Sequence, residues 1–174
     1  MKLLTYIFLV FNRLQILITS FIFLFVFSQE VNAQEPPPRP VEVTVNQNLR
    51  FGAFAQGATG GTITVNPAGG RSFSGDIILL NLGISFSAAT YKLIANAGTV
   101  ISLLNGPDVS LPGSNGGSMN LHIGTSDPLW PFVITTVPPD FTLMNVGGTL
   151  TVENPGSNPP GNYSGMFDIT FIQE

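Results

Sequence analysis

The sequence predicts an all-β chain, an antiparallel β-sandwich of about eight to ten strands. Three observations carry that expectation. Apolar and polar residues alternate with a period of two at Val41/Val43/Val45, Met119/Leu121/Ile123 and Phe167/Ile169/Phe171. Successive strand side chains point to opposite faces, so this spacing marks strands with one buried face. Gly and Pro, 19 and 14 of 174 residues, recur at short intervals and interrupt helices and central ladders alike. No window places apolar residues at i, i+3, i+4 and i+7, so no long helix is expected. Two packed sheets suit the alternation better than one open sheet, which would leave an apolar face wet.

The first 33 residues stand apart. Residues 1–27 are nearly all apolar, broken by Lys2, Asn12 and Arg13, and Val31-Asn32-Ala33 follows. A basic start, an apolar stretch and a small-residue end make residues 1–33 a secretory signal peptide, cleaved between Ala33 and Gln34. The competing reading is an uncleaved anchor. Asn12, Arg13 and Gln15 break the run short of the about 20 apolar residues that a span needs, which favours cleavage. Residues 34–40, QEPPPRP, form a Pro-rich leader too poor in N–H donors for a ladder. Residues 41–174 form a single β-sandwich domain.

Cleavage leaves 141 residues, enough for one domain with a core. They carry Arg39, Arg50, Arg71 and Lys92 against nine carboxylates, a net charge of −5. Nucleic-acid phosphates need clustered Lys and Arg, and anionic lipid needs a basic face. Neither nucleic acid nor, after cleavage, a membrane is an expected partner. The chain has no Cys, so packing rather than disulfides must stabilise a secreted, periplasmic or cell-surface domain.

In order, residues 41–45 open the domain as a strand, and Leu49, Phe51 and Phe54 continue the apolar set around Gly52. Residues 57–61 read as a turn, 62–65 as a strand, and Asn66-Pro67-Ala68-Gly69-Gly70 as a tight turn. The run Ile77-Ile78-Leu79-Leu80 predicts a strand buried on both faces or covered by a neighbour. Tyr91, Leu93 and Ala95 alternate with Lys92 and Ile94, and Asn96-Ala97-Gly98 turns the chain into a strand over 99–104. Residues 105–117 hold two prolines and four glycines and read as loop. A strand at 119–123, one at 132–137 and one at 141–146 follow, separated by turns that include Pro138-Pro139-Asp140. The stretch 147–172 reads as a hairpin. Leu150 and Val152 lie before its Pro155 and Pro159-Pro160 turn, and Tyr163, Gly165, Phe167, Ile169 and Phe171 line the buried face after it.

Chemistry is sparse. His122 is the only His; on strand parity with Asn120 it should face solvent, and no neighbouring motif supplies a nucleophile or an orienting acid. One His, no Cys and dispersed carboxylates give no metal-ligand set; Asp127 and Asp140 could meet in space, but no D-x-D-type loop accompanies them. No glycine-rich loop opens a helix, so no cofactor phosphate is expected. No catalytic residue and no cofactor are therefore assigned. The ligand-binding candidate is Trp130, between Leu129 and Pro131, as a sugar-stacking platform or, alternatively, a half-buried anchor at one end of the sandwich.

Several stretches also carry a resemblance: Leu49-Arg50-Phe51-Gly52-Ala53-Phe54, Gly61-Thr62-Ile63-Thr64-Val65, then Gly70-Arg71-Ser72 before Gly75. At the other end stand Gly148-Thr149-Leu150-Thr151-Val152 and Gly161-Asn162-Tyr163-Ser164-Gly165-Met166-Phe167-Asp168-Ile169-Thr170. In order and spacing these resemble an uncharacterised family of bacterial secreted domains, a domain of unknown function. The resemblance implies an immunoglobulin-like, pilin-like sandwich similar to coat and fimbrial subunits, and it brings no catalytic residues. The expected function is an exported, non-enzymatic structural or surface protein, including a subunit of a fibre or coat, with other copies or surface proteins as partners through edge strands. The alternative is an extracellular glycan- or ligand-binding module. Donor-strand assembly normally uses a long alternating extension. Only the Pro-rich leader precedes Val41, so either residues 41–45 are the mobile strand or the domain is complete alone; completeness is favoured.

Overall fold

The computed structural model describes Arg13, Gln15 and residues 39–174. The chain divides into Met1–Pro37 and Pro38–Glu174. The predicted signal peptide, its Ala33/Gln34 boundary and residues 34–38 of the leader lie outside the described residues, apart from the helical Arg13 and Gln15.

Residues 39–174 fold into strands, turns and loops. In chain order the strands are β1 (Glu42–Gln47), β2 (Arg50–Phe51), β3 (Phe54–Val65), β4 (Arg71–Leu79), β5 (Phe86–Ser87) and β6 (Ala89–Ile94). They continue as β7 (Val100–Asn105), β8 (Val109–Pro112), β9 (Ser118–Asp127), β10 (Phe132–Val133), β11 (Thr142–Val152) and β12 (Ile169–Gln173). All strand pairings are antiparallel. Seven strands build one strongly curled half-barrel along the path β1-β6-β11-β3-β4, with β9 also on β11 and β8 beyond it. A three-stranded sheet, β10-β7-β12, and a short ribbon, β2-β5, complete the described fold.

Strand β11 is where the half-barrel forks. Residues 142–146 pair with β6, residues 148–152 pair with β3, and residues 145–151 pair with β9. Asn145 and Val146 bond to both β6 and β9, and Gly148 to Thr151 to both β3 and β9, so β6 and β3 share one side of β11. Gly147 sits at the branch. A Cβ there would lie 2.5 Å from the Val65 carbonyl oxygen and 3.0 Å from Pro67 Cδ, so only Gly lets the two branches meet the strand.

One apolar cluster joins the sheets. Ile63, Leu93, Leu121, Met144 and Val146 come from the half-barrel, Ile101 and Leu103 from β7, and Ile134 follows β10. Phe171 of β12 meets Tyr91 of β6 edge to face, with ring centroids 5.4 Å apart. Such pairs add about 0.5–1.5 kcal/mol to area burial.

Several elements differ from the sequence expectation. The predicted hairpin over 147–172 does not form: β11 lies in the half-barrel, while β12 pairs with β7. Gly147-Gly148, which the sequence offers as turn or bulge glycines, lies within β11, and the ladder with β9 shifts register between Val146 and Gly148, as a bulge does. The predicted parity holds at the end of the chain, with Phe167, Ile169 and Phe171 half-buried and Met166, Asp168 and Thr170 exposed. Tyr163 is half-buried on the same parity; like Phe167 it lies outside any strand, and its hydroxyl donates to the Pro159 carbonyl at 2.6 Å. The run Ile77–Leu80 is not buried on both faces: Ile77 is buried, whereas Ile78, on the opposite face of β4, is 63% exposed. Residues 105–117 contain β8, and the strand expected over 132–137 shortens to β10.

The connection from β11 to β12 is anchored by a buried amide. Asn158 is 1% exposed. Its Oδ1 accepts the Glu153 N–H at 2.6 Å, its Nδ2 donates to the Ser118 carbonyl at 2.6 Å, and its own carbonyl accepts Gln56 Nε2 at 2.7 Å. Buried polar groups persist where they are satisfied in this way.

Core and periphery should separate in urea unfolding. Leu93→Ala, at a fully buried position, is expected to cost about 2–5 kcal/mol. Phe167→Ala, at a half-buried position outside any strand, is expected to cost about 1–2 kcal/mol. Equal costs would show that Phe167 is as much a core residue as Leu93.

Candidate functional site

An open concave surface lies where β1 gives way to β2. A cleft of about 540 Å³ is lined by Val45, Asn46, Gln47, Asn48, Arg50 and residues 85–87. A second, of about 270 Å³, shares Gln47, Phe86 and Ser87 with it and extends toward Pro67 and Asn145. Local irregularity makes the cleft. The ladder between β1 and β6 steps from Val45↔Tyr91 to Gln47↔Thr90, so Asn46 is an extra residue in a β-bulge. A bulge bends the strand and re-aims its side chains. Beyond it, the Ser87 hydroxyl donates to the Asn48 carbonyl at 2.9 Å, and Arg50 pairs with Ser87 across the ribbon.

Arg71 holds the cleft's aromatic wall from behind. Its Nη1 donates to the carbonyls of Phe51 (2.8 Å) and Ala53 (3.2 Å), and its Nη2 to that of Leu80 (3.4 Å). Its guanidinium carbon lies 4.5 Å from the centroid of the Phe86 ring, within cation–π range. Gly52 makes room for this. It has φ +73°, and a Cβ there would lie 2.5 Å from Arg71 Nη1. The Phe51-Gly52-Ala53 and Arg71 elements of the sequence pattern thus meet in one clamp.

Arg50 is held differently. Within residues 39–174, Arg39 pairs with Glu42, Lys92 lies over the Phe141 ring, and Arg71 is bound as above. Arg50 has only a long 3.4 Å contact with the Ser85 hydroxyl and no salt bridge among the described residues. Gln47 spends its Nε2 on the Ala88 carbonyl. The cleft therefore offers a guanidinium, amide groups, two serines and an aromatic wall.

Trp130 lies elsewhere, between β9 and β10. It is 47% exposed next to the more exposed Leu129, and it lines neither cleft. His122 does have an orienting acid, contrary to the sequence expectation. Asp108, from the segment before β8, accepts from His122 Nδ1 at 2.7 Å and from Asn120 Nδ2 at 3.1 Å. An ionised carboxylate only accepts, so Nδ1 carries the proton. All three side chains are exposed. Among the described residues, no group of three His, Asp or Glu side chains could hold a metal ion. Asp108 escaped the sequence reading because its partner is 14 residues away and in another element. Three consecutive amides before an arginine, Asn46-Gln47-Asn48 to Arg50, were the one readable sign of the cleft.

The hydrogen bonds from His122 and then Asn120 hold the Asp108 carboxyl below its ordinary range. A depressed folded-state value means that the interaction stabilises the fold above the unfolded-state pKa and is lost as pH falls through the folded one. In an NMR titration, His122→Ala is expected to raise the Asp108 midpoint toward that of an ordinary aspartate. An unchanged midpoint would assign the whole effect to Asn120.

No curated protein matches this chain, and neither does any solved structure. A family model described as Domain of unknown function (DUF4402) matches residues 41–172. That span begins just before β1, ends inside β12 and includes both the Arg71 clamp and the cleft. The chain belongs to the DUF4402 family.

Proposed function

We propose that this protein is an exported, non-enzymatic surface or structural protein, an immunoglobulin-like and pilin-like sandwich that associates with further copies or surface proteins through its sheet edges. One observation carries the reading. The curled sheet ends in β1, β4 and β8, each paired on one side only among the described residues, and β1 and β4 carry exposed apolar side chains. Val45 stands opposite Tyr91, and Phe73 opposite Ile63, so both share a face with core residues. Yet Val45 is 59% and Phe73 is 53% exposed. Unpaired edge N–H and C=O groups beside exposed apolar side chains are a template for strand addition. Every residue of β1 is exposed, which also keeps alive its exchange between copies. The three-stranded sheet sharing one core with the half-barrel supports the sandwich architecture. Against catalysis, the His122–Asp108 pair is solvent-facing, and the described hydrogen bonds bring no nucleophile to it.

Two measurements test this. Analytical ultracentrifugation of the purified protein is expected to show concentration-dependent association, weakened about tenfold or more, or about 1.4 kcal/mol, by Val45→Lys or Phe73→Lys. A monomer at every concentration would overturn assembly through the edges. Mass spectrometry of the exported protein is expected to find Gln34 at its N-terminus, whereas a retained residue 1 would replace the signal peptide by an anchor.

A further inference from the structure

We infer that the cleft at the end of β1 is a binding site for an acidic saccharide, with Arg50 engaging the sugar's carboxylate. This goes beyond assembly at the edges and places ligand binding at a position distinct from Trp130.

The argument starts from charge. Within residues 39–174 each of the other three basic side chains has a partner in the fold, whether a carboxylate, an aromatic ring or three carbonyls. Arg50 has only its long contact with Ser85, on a concave surface, in a protein whose formal net charge is −4. A guanidinium presents a planar fork of donors that matches a carboxylate in two parallel hydrogen bonds. An anionic group is the ligand chemistry this residue suits.

The remaining lining argues that the anion is carried on a polyol. Asn46, Gln47 and Asn48 line the same cleft, and none of the described hydrogen bonds uses the side chains of Asn46 or Asn48. An amide offers a donor and an acceptor side by side, which suits the adjacent hydroxyls of a sugar ring. Ser85 and Ser87 add hydroxyls to the wall. Phe86 is 42% exposed with Arg71 against its ring. It belongs to the walls of both clefts, where it can receive the apolar face of a sugar. A simple inorganic anion would use the arginine and leave the amides and the ring without a role. The two clefts share Gln47, Phe86 and Ser87, so a ligand of more than one sugar unit fits better than a monosaccharide. The bulge at Asn46 and the Arg71 clamp position these groups before any ligand arrives, which limits the ordering cost of binding.

The test is isothermal titration of the purified full-length protein with trigalacturonate, trimannuronate and, as the neutral control, maltotriose. At least one acidic trisaccharide is expected to bind with Kd below about 1 mM, with maltotriose at least tenfold weaker. Arg50→Gln should weaken the acidic ligand at least tenfold and bring it near the neutral one. Asn48→Ala should weaken it several-fold. Neither side chain is in the core, so both variants should keep the wild-type melting temperature, and Arg50→Lys should restore only part of the affinity. No saturable binding of either acidic trisaccharide overturns the inference. So does binding that is indifferent to Arg50→Gln, or a preference for maltotriose. Because the readout is ligand affinity, it is independent of whether the chain self-associates.

Discussion

Strand β11 is the constraint on which the half-barrel depends. It accepts three partners: β9 along one side, and β6 then β3 along the other. A strand ordinarily has one neighbour per side, so two end-to-end neighbours need a place where neither side chain nor backbone collides. Gly147 is that place, with the Val65 carbonyl and the Asn66-Pro67 turn filling the space that a Cβ would take. The sheet curls because its two branches leave the same strand at different heights, and the inner residues Ile63, Leu93, Met144 and Val146 then converge on one core. The three-stranded sheet contributes Ile101 and Leu103 to the same core.

Rigidity next to the cleft comes from a second polar device. Arg71 donates to the carbonyls of Phe51, Ala53 and Leu80, and the Ala53 carbonyl also accepts the Leu80 N–H at 3.0 Å. A charged donor makes stronger hydrogen bonds than a neutral one. The arginine thereby ties residues 51–53 to the end of β4, beside the backbone bond from the Leu80 N–H to the Ala53 carbonyl. Asn158 does similar work at the other end of the fold, joining the 153–160 turn to Ser118 and Gln56. Both residues act through hydrogen bonds to backbone that is distant in sequence.

That distance explains what the sequence could and could not reveal. Period-two alternation located β1 and β6 to within about two residues and the first half of β9, and of the three only β9 alternates cleanly between buried and exposed residues. The Asn66–Gly70 turn was equally legible, since its residues set their own backbone geometry. Partner choice was not. The apolar parity of Phe167, Ile169 and Phe171 says which face is inward, but nothing local says that β12 joins β7 instead of β11. Gly147-Gly148 reads as a turn or a bulge by local rules; the bulge is there, but its role at the branch depends on Val65 and Pro67, some 80 residues earlier. Proline likewise hid β8, which ends on Pro112. At the candidate site the single tryptophan drew attention as the rarest aromatic residue, whereas the concave surface is built by amides and an arginine that look unremarkable until the Asn46 bulge gathers them.

The two proposed activities share β1, and the geometry keeps them apart. Its regular half, Glu42 to Val45, pairs residue for residue with β6, and among the described residues no strand pairs with its outer edge. At Asn46 the register slips. A strand added along the outer edge would lose its ladder at that bulge, because bulges interrupt pairing and bend the strand away. The cleft begins where the regular edge stops, with Val45 as the residue common to both. Assembly along residues 42–45 would therefore leave Asn48 and Arg50 open to solvent, so that a chain of subunits would repeat the same saccharide-facing cleft once per copy.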